Sequence, residues 1–244
     1  MRNIKLTIEY DGTNYAGWQK QKKVITIQQK IEEAIELIIN NKVKVIGSSR
    51  TDAGVHARGF VANFMTESNI NTKSFKDAIN SKLPRDIVIL GSEEVDMEFH
   101  SRYSSIGKRY SYTILNRHEP TALERNYVYH YKKQLDFQAM EAASSYFIGE
   151  HDFSAFKAAG SSVKTTVRNI KSAFLQKNED KITFYIEGDG FLYNMVRIMT
   201  GTLIDVGIHK LKPYEISNII KSKDRTKAGK TAPASGLCLE VVYY

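Results

Sequence analysis

A single carboxylate lies between basic residues in the segment GSSRTDAGVHARG, residues 47–59. Asp52 comes two positions after Arg50 and six before Arg58, in a segment with three glycines and few apolar side chains. A carboxylate beside arginines stays ionised, glycines let the backbone approach a ligand closely, and an ionised carboxylate can act as a nucleophile. An aspartate that precedes Ala-Gly also commonly bonds to its own turn, so these residue types leave a catalytic and a purely local role open.

Other kinds of reactive site fit the sequence less well. No second carboxylate is identifiable at the spacing that ordinary glycoside hydrolysis requires. His151 and Asp152 are adjacent, but no second cluster at ligand spacing accompanies them, so we expect no metal. The glycine-containing segment 12–17 lacks the lysine of a phosphate loop, and no G-x-G-x-x-G opens a helix after a strand, so we expect no cofactor.

Aromatic and basic residues are interleaved in the segments 99–103 and 108–112. If the second segment is a strand, Tyr110 and Tyr112 share one face and Arg109 takes the other. The tyrosines are then either ordinary core residues or rings that stack on an unstacked base, while arginines contact the backbone phosphates.

Arg197 occurs among apolar residues of a predicted helix at 192–203. A guanidinium in an apolar face is energetically costly unless a carboxylate pairs with it. Asp52 is the candidate partner.

The composition indicates a polyanion as the partner. Thirty-five Lys and Arg against 27 Asp and Glu give a net charge of +8 and a pI near 9.3, which concentrates phosphates around the protein. The single cysteine, Cys238, lies in an apolar stretch, so a reducing compartment and a buried thiol are expected. Residues 1–12 lack the continuous apolar region of a signal peptide, and the sequence has no run of roughly 18 apolar residues, so we expect a cytoplasmic protein without a membrane association.

Apolar periodicity predicts the same order of elements twice. The first set is a strand at 4–10, a helix at 26–38, strands at 43–46 and 60–64, a helix at 72–83 and a strand at 87–90. The second set is a strand at 108–115, a helix at 136–147, strands at 167–175 and 181–187, a helix at 192–203 and a strand at 237–243. Each set is the β-α-β-β-α-β order of a ferredoxin-like module.

The two modules predict an α+β protein. Residues 1–104 form the N-terminal module, which carries the Asp52 segment, and residues 105–244 form the C-terminal module. We expect the modules to build one extended, mixed, largely antiparallel sheet, with helices packed on one face and an active-site cleft on the other.

Six motifs in the chain resemble those of one family, the tRNA pseudouridine synthase A (TruA) family. The signature RTDAGVHA is intact at 50–57, and it is followed in order by FHSR at 99–102, KRYSY at 108–112, HDF at 151–153, GFLYNMVR at 190–197 and ASGL at 234–237. The resemblance extends over essentially the whole chain.

The resemblance implies an enzyme that isomerises uridine to pseudouridine at positions 38, 39 and 40 of the anticodon stem-loop of tRNA. Asp52 matches the catalytic nucleophile of the family, and attack at C6 of the base, attack at C1′ of the ribose and passage through a glycal all remain open. The reaction consumes nothing, so no cofactor is implied. The family works as a homodimer, with tRNA in a cleft to which both subunits contribute.

The resemblance also implies roles for residues outside the signature. Tyr110 stacks on the target base and assists removal of the C5 proton, and Arg197 pairs with Asp52 and keeps it charged. Arg50 holds the gap that the flipped uridine leaves, and Leu237 packs against the flipped base. Three further arginines are expected to bind the substrate: Arg58, Arg102 and Arg109.

Two alternatives remain. One is an RNA-binding module or RNA chaperone that keeps this fold without turnover. The other is a metal-dependent phosphohydrolase that uses His151 and Asp152.

Overall fold

A computed structural model describes residues 1–160 and 163–244. The chain forms two compact units, one consisting of Met1–Ile106 with Cys238–Tyr244 and the other of Gly107–Leu237. Each unit combines helices with a mixed, largely antiparallel sheet, which confirms the predicted α+β class. The module boundary at 104/105 stays a prediction. Within the described residues, no helix has the length and apolar character needed to cross a membrane.

The strands and helices follow the predicted order with several additions. The strands are β1 (Arg2–Tyr10), β2 (Ile46–Gly47), β3 (His56–Thr66), β4 (Ile87–Val95), β5 (Gly107–Leu115), β6 (Tyr129–His130), β7 (Gly149–Asp152), β8 (Val167–Asn178), β9 (Lys181–Gly188) and β10 (Leu237–Tyr243). The α-helices are α1 (Ile27–Ile39), α2 (Ser74–Asn80), α3 (Phe137–Ser144), α4 (Met195–Gly207) and α5 (Glu215–Ser222). The short strands β6 and β7 and the helix α5 were not predicted.

The first unit has the split β-α-β arrangement that the sequence indicates. Strand β1 pairs antiparallel with both β3 and β4, and β2 pairs antiparallel with β3. Strand β10 joins β3 in parallel, with Cys238 opposite His56. Alternate residues of β1 are fully buried, as are Ile31 and Ile35 on one face of α1, because a period of two on the strand and of 3.6 on the helix each concentrate apolar side chains on one side. These strands position the segment 48–55, which connects β2 to β3.

Two boundaries around this segment differ from the prediction. The strand predicted at 43–46 is reduced to Ile46–Gly47, because side chains of α1 satisfy the backbone of Val45: its N–H donates to Glu32 Oε1 and its C=O accepts from Gln28 Nε2. Strand β3 begins at His56, four residues before the predicted position 60, because the parallel pairing with β10 extends it. The irregular segment that carries Asp52 is therefore shorter than expected.

The described residues of the second unit contain an antiparallel sheet in the order β5-β9-β8-β7, with β6 added in parallel to β5, and the helices α3, α4 and α5. Its core contains a group of buried aromatic rings, with Phe147 in edge contact with Phe156 at 5.3 Å between centroids. Helix α4 starts at Met195 rather than at the predicted residue 192, because Asn194 adopts a left-handed conformation with φ of 60°. Helix α4 carries Arg197 within its first turn.

Candidate active site

Asp52 lies in a tight turn between β2 and β3 in the first unit. The amide of Val55 donates to the backbone carbonyl of Asp52 at 3.2 Å, and Gly54 adopts a φ of +76°, which glycine accepts at little cost. The side chain of Asp52 is half-buried. The turn is thus closed through the backbone carbonyl of Asp52 itself.

The residue before Asp52 is fixed by contacts with the end of β1 and the segment that follows it. Thr51 is buried, and its Oγ1 lies 2.7 Å from the hydroxyl of Tyr10. Its carbonyl accepts from the amide of Trp18 at 3.1 Å. Gly17 has a φ of +91°, and a Cβ at this position would stand 2.5 Å from the carbonyl oxygen of Thr51, so a side chain is excluded there. These contacts hold the backbone at Asp52 in one position.

An aromatic cluster lies beneath the same segment. Trp18 stacks on Phe60 with 3.9 Å between ring centroids, and Tyr10 is tilted against Phe60 at 5.7 Å. All three rings are buried. A Cβ at Gly47 would collide with the indole of Trp18, so the chain enters the Asp52 segment in direct contact with this cluster. Rings with few rotamers form a rigid support, which a preorganised catalytic group requires.

His56 secures the far end of the segment. Its Nδ1 accepts from the amide of Gly12 at 3.1 Å and lies equally close to a carboxylate oxygen of Asp11. One ring nitrogen cannot accept from an N–H and donate to a carboxylate at once. Because the amide hydrogen of Gly12 is directed at Nδ1, we assign Nδ1 as the acceptor, and the short distance to Asp11 is then not a hydrogen bond. His56 is thereby tied to the turn that ends β1.

The basic residues predicted to bind substrate in this unit are all exposed. Arg50 lies two positions before Asp52. Arg58, whose side chain is 67% exposed, forms an ion pair with Glu240 of β10 at 2.7 Å. The guanidinium carbon of Arg102 lies 5.6 Å from the ring centroid of Tyr103.

In the second unit, Tyr110 and Tyr112 lie on one face of β5, as predicted, and differ in their surroundings. Tyr110 is buried and its ring meets Phe191 edge-on at 5.1 Å between centroids. The hydroxyl of Tyr112 donates to the carbonyl of Pro233 at 2.7 Å, and burial raises the pKa of the Tyr112 phenol far above its usual value. Tyr112 is therefore a core residue. On the other face, Arg109 donates through Nε and Nη2 to one carboxylate oxygen of Glu187 at 3.1 and 2.8 Å.

Arg197 fastens helix α4 to the segment that precedes β10. Its Nε donates to the carbonyl of Ala232 at 2.8 Å, its Nη1 donates to Asn194 Oδ1 at 2.7 Å, and its own carbonyl accepts from the amide of Ala232. Ala232 comes five residues before Leu237, which is buried at the start of β10. The sequence suggested a carboxylate partner for Arg197 and gave no sign of this anchoring role. The predicted pairing with Asp52 stays a prediction.

The His151-Asp152 pair has a local structural role. Ser154 donates to Asp152 Oδ1 through its amide and hydroxyl, Thr166 donates to the same oxygen at 2.6 Å, and Lys223 pairs with Oδ2 at 2.9 Å. Burial alone would raise the pKa of this carboxyl, but the Ser154, Thr166 and Lys223 contacts hold it well below its usual range. His151 Nε2 lies 3.0 Å from the carbonyl of Ile148. Within residues 1–160 and 163–244, no group of three or more His, Cys, Asp or Glu residues is arranged to hold a metal ion.

Comparison with known proteins identifies the class of enzyme. A family model described as tRNA pseudouridine synthase matches residues 6–104 and 143–244. Over 244 residues, the chain is 60% identical to tRNA pseudouridine synthase A 2 of Clostridium perfringens, 57% identical to tRNA pseudouridine synthase A of Acetivibrio thermocellus and 54% identical to that of Clostridium acetobutylicum. Each alignment covers 100% of this chain and 100% of the relative.

A more remote similarity connects the chain to the solved "Crystal Structure of a Cbf5-Nop10-Gar1 Complex". The alignment covers 96% of this chain and 57% of that chain, at 11% identity and a TM-score of 0.36.

The full-length relatives and the family model agree on an RNA-modifying isomerase. The chain belongs to the tRNA pseudouridine synthase family, and it is an enzyme that acts on tRNA.

Proposed function

We propose that the protein converts uridine to pseudouridine at positions 38, 39 and 40 of the tRNA anticodon stem-loop, with Asp52 as the nucleophile. The observation that carries this proposal is the intact RTDAGVHA signature at 50–57, in a chain 60% identical to a protein named as a tRNA pseudouridine synthase A. The buried supports of Thr51 and the backbone-closed turn at Asp52 favour a carboxylate held in place for reaction.

The proposed chemistry moves one bond within the substrate. The N-glycosidic bond between N1 of uracil and C1′ breaks, the uracil rotates without leaving, and C5 bonds to C1′. C5 loses its proton and N1 gains one, so the product is an isomer of the substrate. In each of the three variants, attack at C6, attack at C1′ or a glycal, Asp52 must be ionised. Nothing is consumed, so the proposal includes no cofactor and no metal.

Other residues receive roles in the same proposal. Tyr110 stacks on the target base and assists the loss of the C5 proton, which requires a group within hydrogen-bond reach. Arg197 keeps Asp52 charged, Arg50 fills the gap left by the flipped uridine, and Leu237 contributes a dry wall beside the base. These roles are supported by the motif match.

The arginines Arg58, Arg102 and Arg109 are proposed to contact phosphates of the tRNA. Support comes from the net charge of +8 and from the exposure of Arg58 and Arg102. Each phosphate contact releases counterions, so tRNA binding should weaken steeply as salt increases. We further propose a cytoplasmic homodimer, in line with the family that the sequence resembles.

Position-specific mapping tests the proposal. The wild-type protein is incubated with an unmodified tRNA transcript, without metal or nucleotide, and pseudouridine is located by chemical labelling. Transcripts with cytidine in place of uridine at 38, 39 or 40 serve as position controls. Product at these positions that disappears with the matching substitution supports the proposal. A protein that binds the transcript and makes no product would instead favour the RNA-binding module.

A further inference from the structure

A solvent-exposed stack of side chains follows β4 in the first unit. The stack consists of His100, Arg102 and Tyr103, and we call it the Tyr103 platform. Tyr103 as a residue is 77% exposed. His100 stacks against its ring with 4.3 Å between centroids and 30° between the ring planes, and the Arg102 guanidinium carbon lies 5.6 Å from the Tyr103 centroid. A large aromatic side chain this exposed contributes little to a core.

The turn that carries the platform is internally fixed. The Nδ1 of His100 accepts from the amides of both Arg102 and Tyr103 at 3.2 Å. The amide of His100 donates to Ser104 Oγ at 3.1 Å, and its carbonyl accepts from the amide of Ser104 at 2.9 Å. The imidazole therefore sets the backbone of the two residues whose side chains project into solvent.

Buried polar groups hold the same turn to the sheet. Ser101 is fully buried. Its amide donates to Asn63 Oδ1 at 3.0 Å, and its hydroxyl donates to the carbonyl of Ile46 at 2.6 Å. Its carbonyl accepts from the hydroxyl of Tyr244 at 2.6 Å. Asn3, also fully buried, donates to the carbonyl of Phe99 at 2.9 Å. Buried polar side chains are costly unless satisfied, and these are satisfied by fixing this turn.

The platform is connected to the Asp52 segment through the same contacts. The carbonyl of Ile46, which accepts from the Ser101 hydroxyl, belongs to β2. Ile46 lies two residues before the start of the segment 48–55. Ser101, Ile46 and Asp52 all belong to the first unit. The turn that carries the platform is therefore hydrogen-bonded to the strand that leads into the Asp52 segment.

The chemistry of the platform matches an unpaired nucleotide. An aromatic ring held on a rigid support stacks on bases regardless of their identity, and a guanidinium beside it pairs with the phosphate. We propose that the Tyr103 platform binds a nucleotide of the tRNA other than the uridine that reacts, with Tyr103 stacking on an unpaired base and Arg102 contacting a phosphate. This proposal rests on the proposed function, because it takes tRNA as the substrate.

Binding measurements with graded substitutions test the proposal. The dissociation constant for an unmodified tRNA is measured in the Asp52→Asn background, so that no turnover intervenes, for Tyr103→Ala, Tyr103→Leu, Tyr103→Phe and Tyr103→Trp. Loss of one stacked base should weaken binding roughly 5- to 100-fold for Ala and Leu, whereas Phe and Trp should stay within about twofold. Arg102→Gln should reduce the slope of log affinity against log salt by about one contact.

A matched control comes from the second unit. Tyr214 is 52% exposed, and the Lys212 ammonium lies 6.0 Å from its ring centroid, so Tyr214→Ala also removes an exposed tyrosine beside a cation. This variant should bind tRNA within about twofold of the parent protein. In otherwise wild-type protein, Tyr103→Ala should raise KM for tRNA and leave kcat within about twofold, as expected for a contact made equally in the ground state and transition state.

Three outcomes would overturn the proposal. The first is a tRNA affinity of Tyr103→Ala equal to that of Tyr214→Ala. The second is a Tyr103→Leu variant that binds tRNA as tightly as Tyr103→Phe, since stacking by an aromatic ring would then contribute nothing. The third is a change in oligomeric state by sedimentation at unchanged tRNA affinity, which would assign the platform to a second copy of the chain. Pseudouridine formation by the wild type is measured in parallel: its absence with the affinity ranking intact would refute the proposed function and leave the platform supported.

Discussion

The hydrogen bond between Tyr10 and Thr51 provides a direct test of whether the position of Asp52 matters for turnover. The two hydroxyls are 2.7 Å apart, both residues are buried, and they are separated by 41 positions in the sequence. Tyr10→Phe and Thr51→Val each remove one hydroxyl while keeping the shape of the side chain. The double variant removes both.

The structure gives the size of the expected effects. Loss of a buried hydrogen bond costs about 1–3 kcal/mol of stability, so each single variant should lower the free energy of unfolding by that amount. The double variant removes both hydroxyls together. Its loss of free energy of unfolding should therefore be smaller than the sum of the two single losses, by about 1 kcal/mol or more. Because Thr51 precedes Asp52, displacement of its backbone by a fraction of an ångström should reduce kcat roughly 10- to 100-fold.

Denaturant unfolding and single-turnover kinetics measure these quantities. Dissociation constants for tRNA should stay within about twofold, because neither hydroxyl belongs to the proposed RNA-binding residues. Thr51→Ser is the matched control, since it retains the hydroxyl, and it should stay near wild type in both stability and kcat. Additive costs in the double variant, or Tyr10→Phe turnover equal to wild type at reduced stability, would refute the view that this bond positions Asp52.

Three further predictions concern the supports of the site. Gly17→Ala should destabilise the protein by about 2–4 kcal/mol and reduce kcat, because φ is +91° and a Cβ would stand 2.5 Å from the carbonyl oxygen of Thr51. Gly91→Ala is the control and should be neutral or slightly stabilising, because a Cβ there would meet nothing within 4 Å. Equal losses of stability in the two variants would contradict the prediction. Asp152→Asn should cost about 1–3 kcal/mol near neutral pH. Because its contacts hold the folded pKa of Asp152 well below the usual value, the stability that the ionised carboxylate contributes is present above the unfolded pKa and is lost as pH falls through the folded pKa. The difference in free energy of unfolding between wild type and Asp152→Asn should therefore narrow in acid, and a constant difference would argue against the ionised carboxylate. Arg197→Lys keeps the positive charge, but an ammonium lacks the planar guanidinium that donates to both Ala232 and Asn194. The variant should therefore lose stability and kcat together. Full activity and stability in the Lys variant would remove the anchoring role.

The sequence predicted those elements that carry a clear apolar period. Strand β10 coincides with the predicted range 237–243, and Thr26 caps α1 as its position indicated, accepting from the amide of Gln29 at 3.4 Å. Helix α5 was missed although Ile216, Ile219 and Ile220 recur at helical spacing and are buried, so the signal was present. Strand β7, with the residues GEHD, has no such signal, because its pairing with β8 makes it a strand.

In the candidate site, too, the sequence predicted some residues and could not predict others. Residue type and order predicted Asp52 as a candidate reactive residue, which stays a prediction, and gave a core position as one of two alternatives for Tyr112, which its burial supports. Charge, glycine content and alternation are local properties that can be read from the sequence. The supports were not predictable, because the Tyr10–Thr51 bond, the close approach of Gly17 to Thr51 and the anchoring of Ala232 by Arg197 join positions far apart in the chain. Each depends on the folded geometry rather than on a repeating pattern.

The central claim, that Asp52 is the nucleophile, is tested most directly by the loss of the C5 hydrogen. Release of tritium from tRNA that carries 5-tritiated uridine is followed for the wild type, Asp52→Asn and Asp77→Asn, the last being a control because that carboxylate is on the surface, with 79% of its side chain exposed. If Asp52 is the nucleophile, the wild type and Asp77→Asn release tritium fully, and Asp52→Asn releases none at a tRNA affinity within a few fold of wild type. Tritium release by Asp52→Asn at a rate comparable to wild type would contradict it.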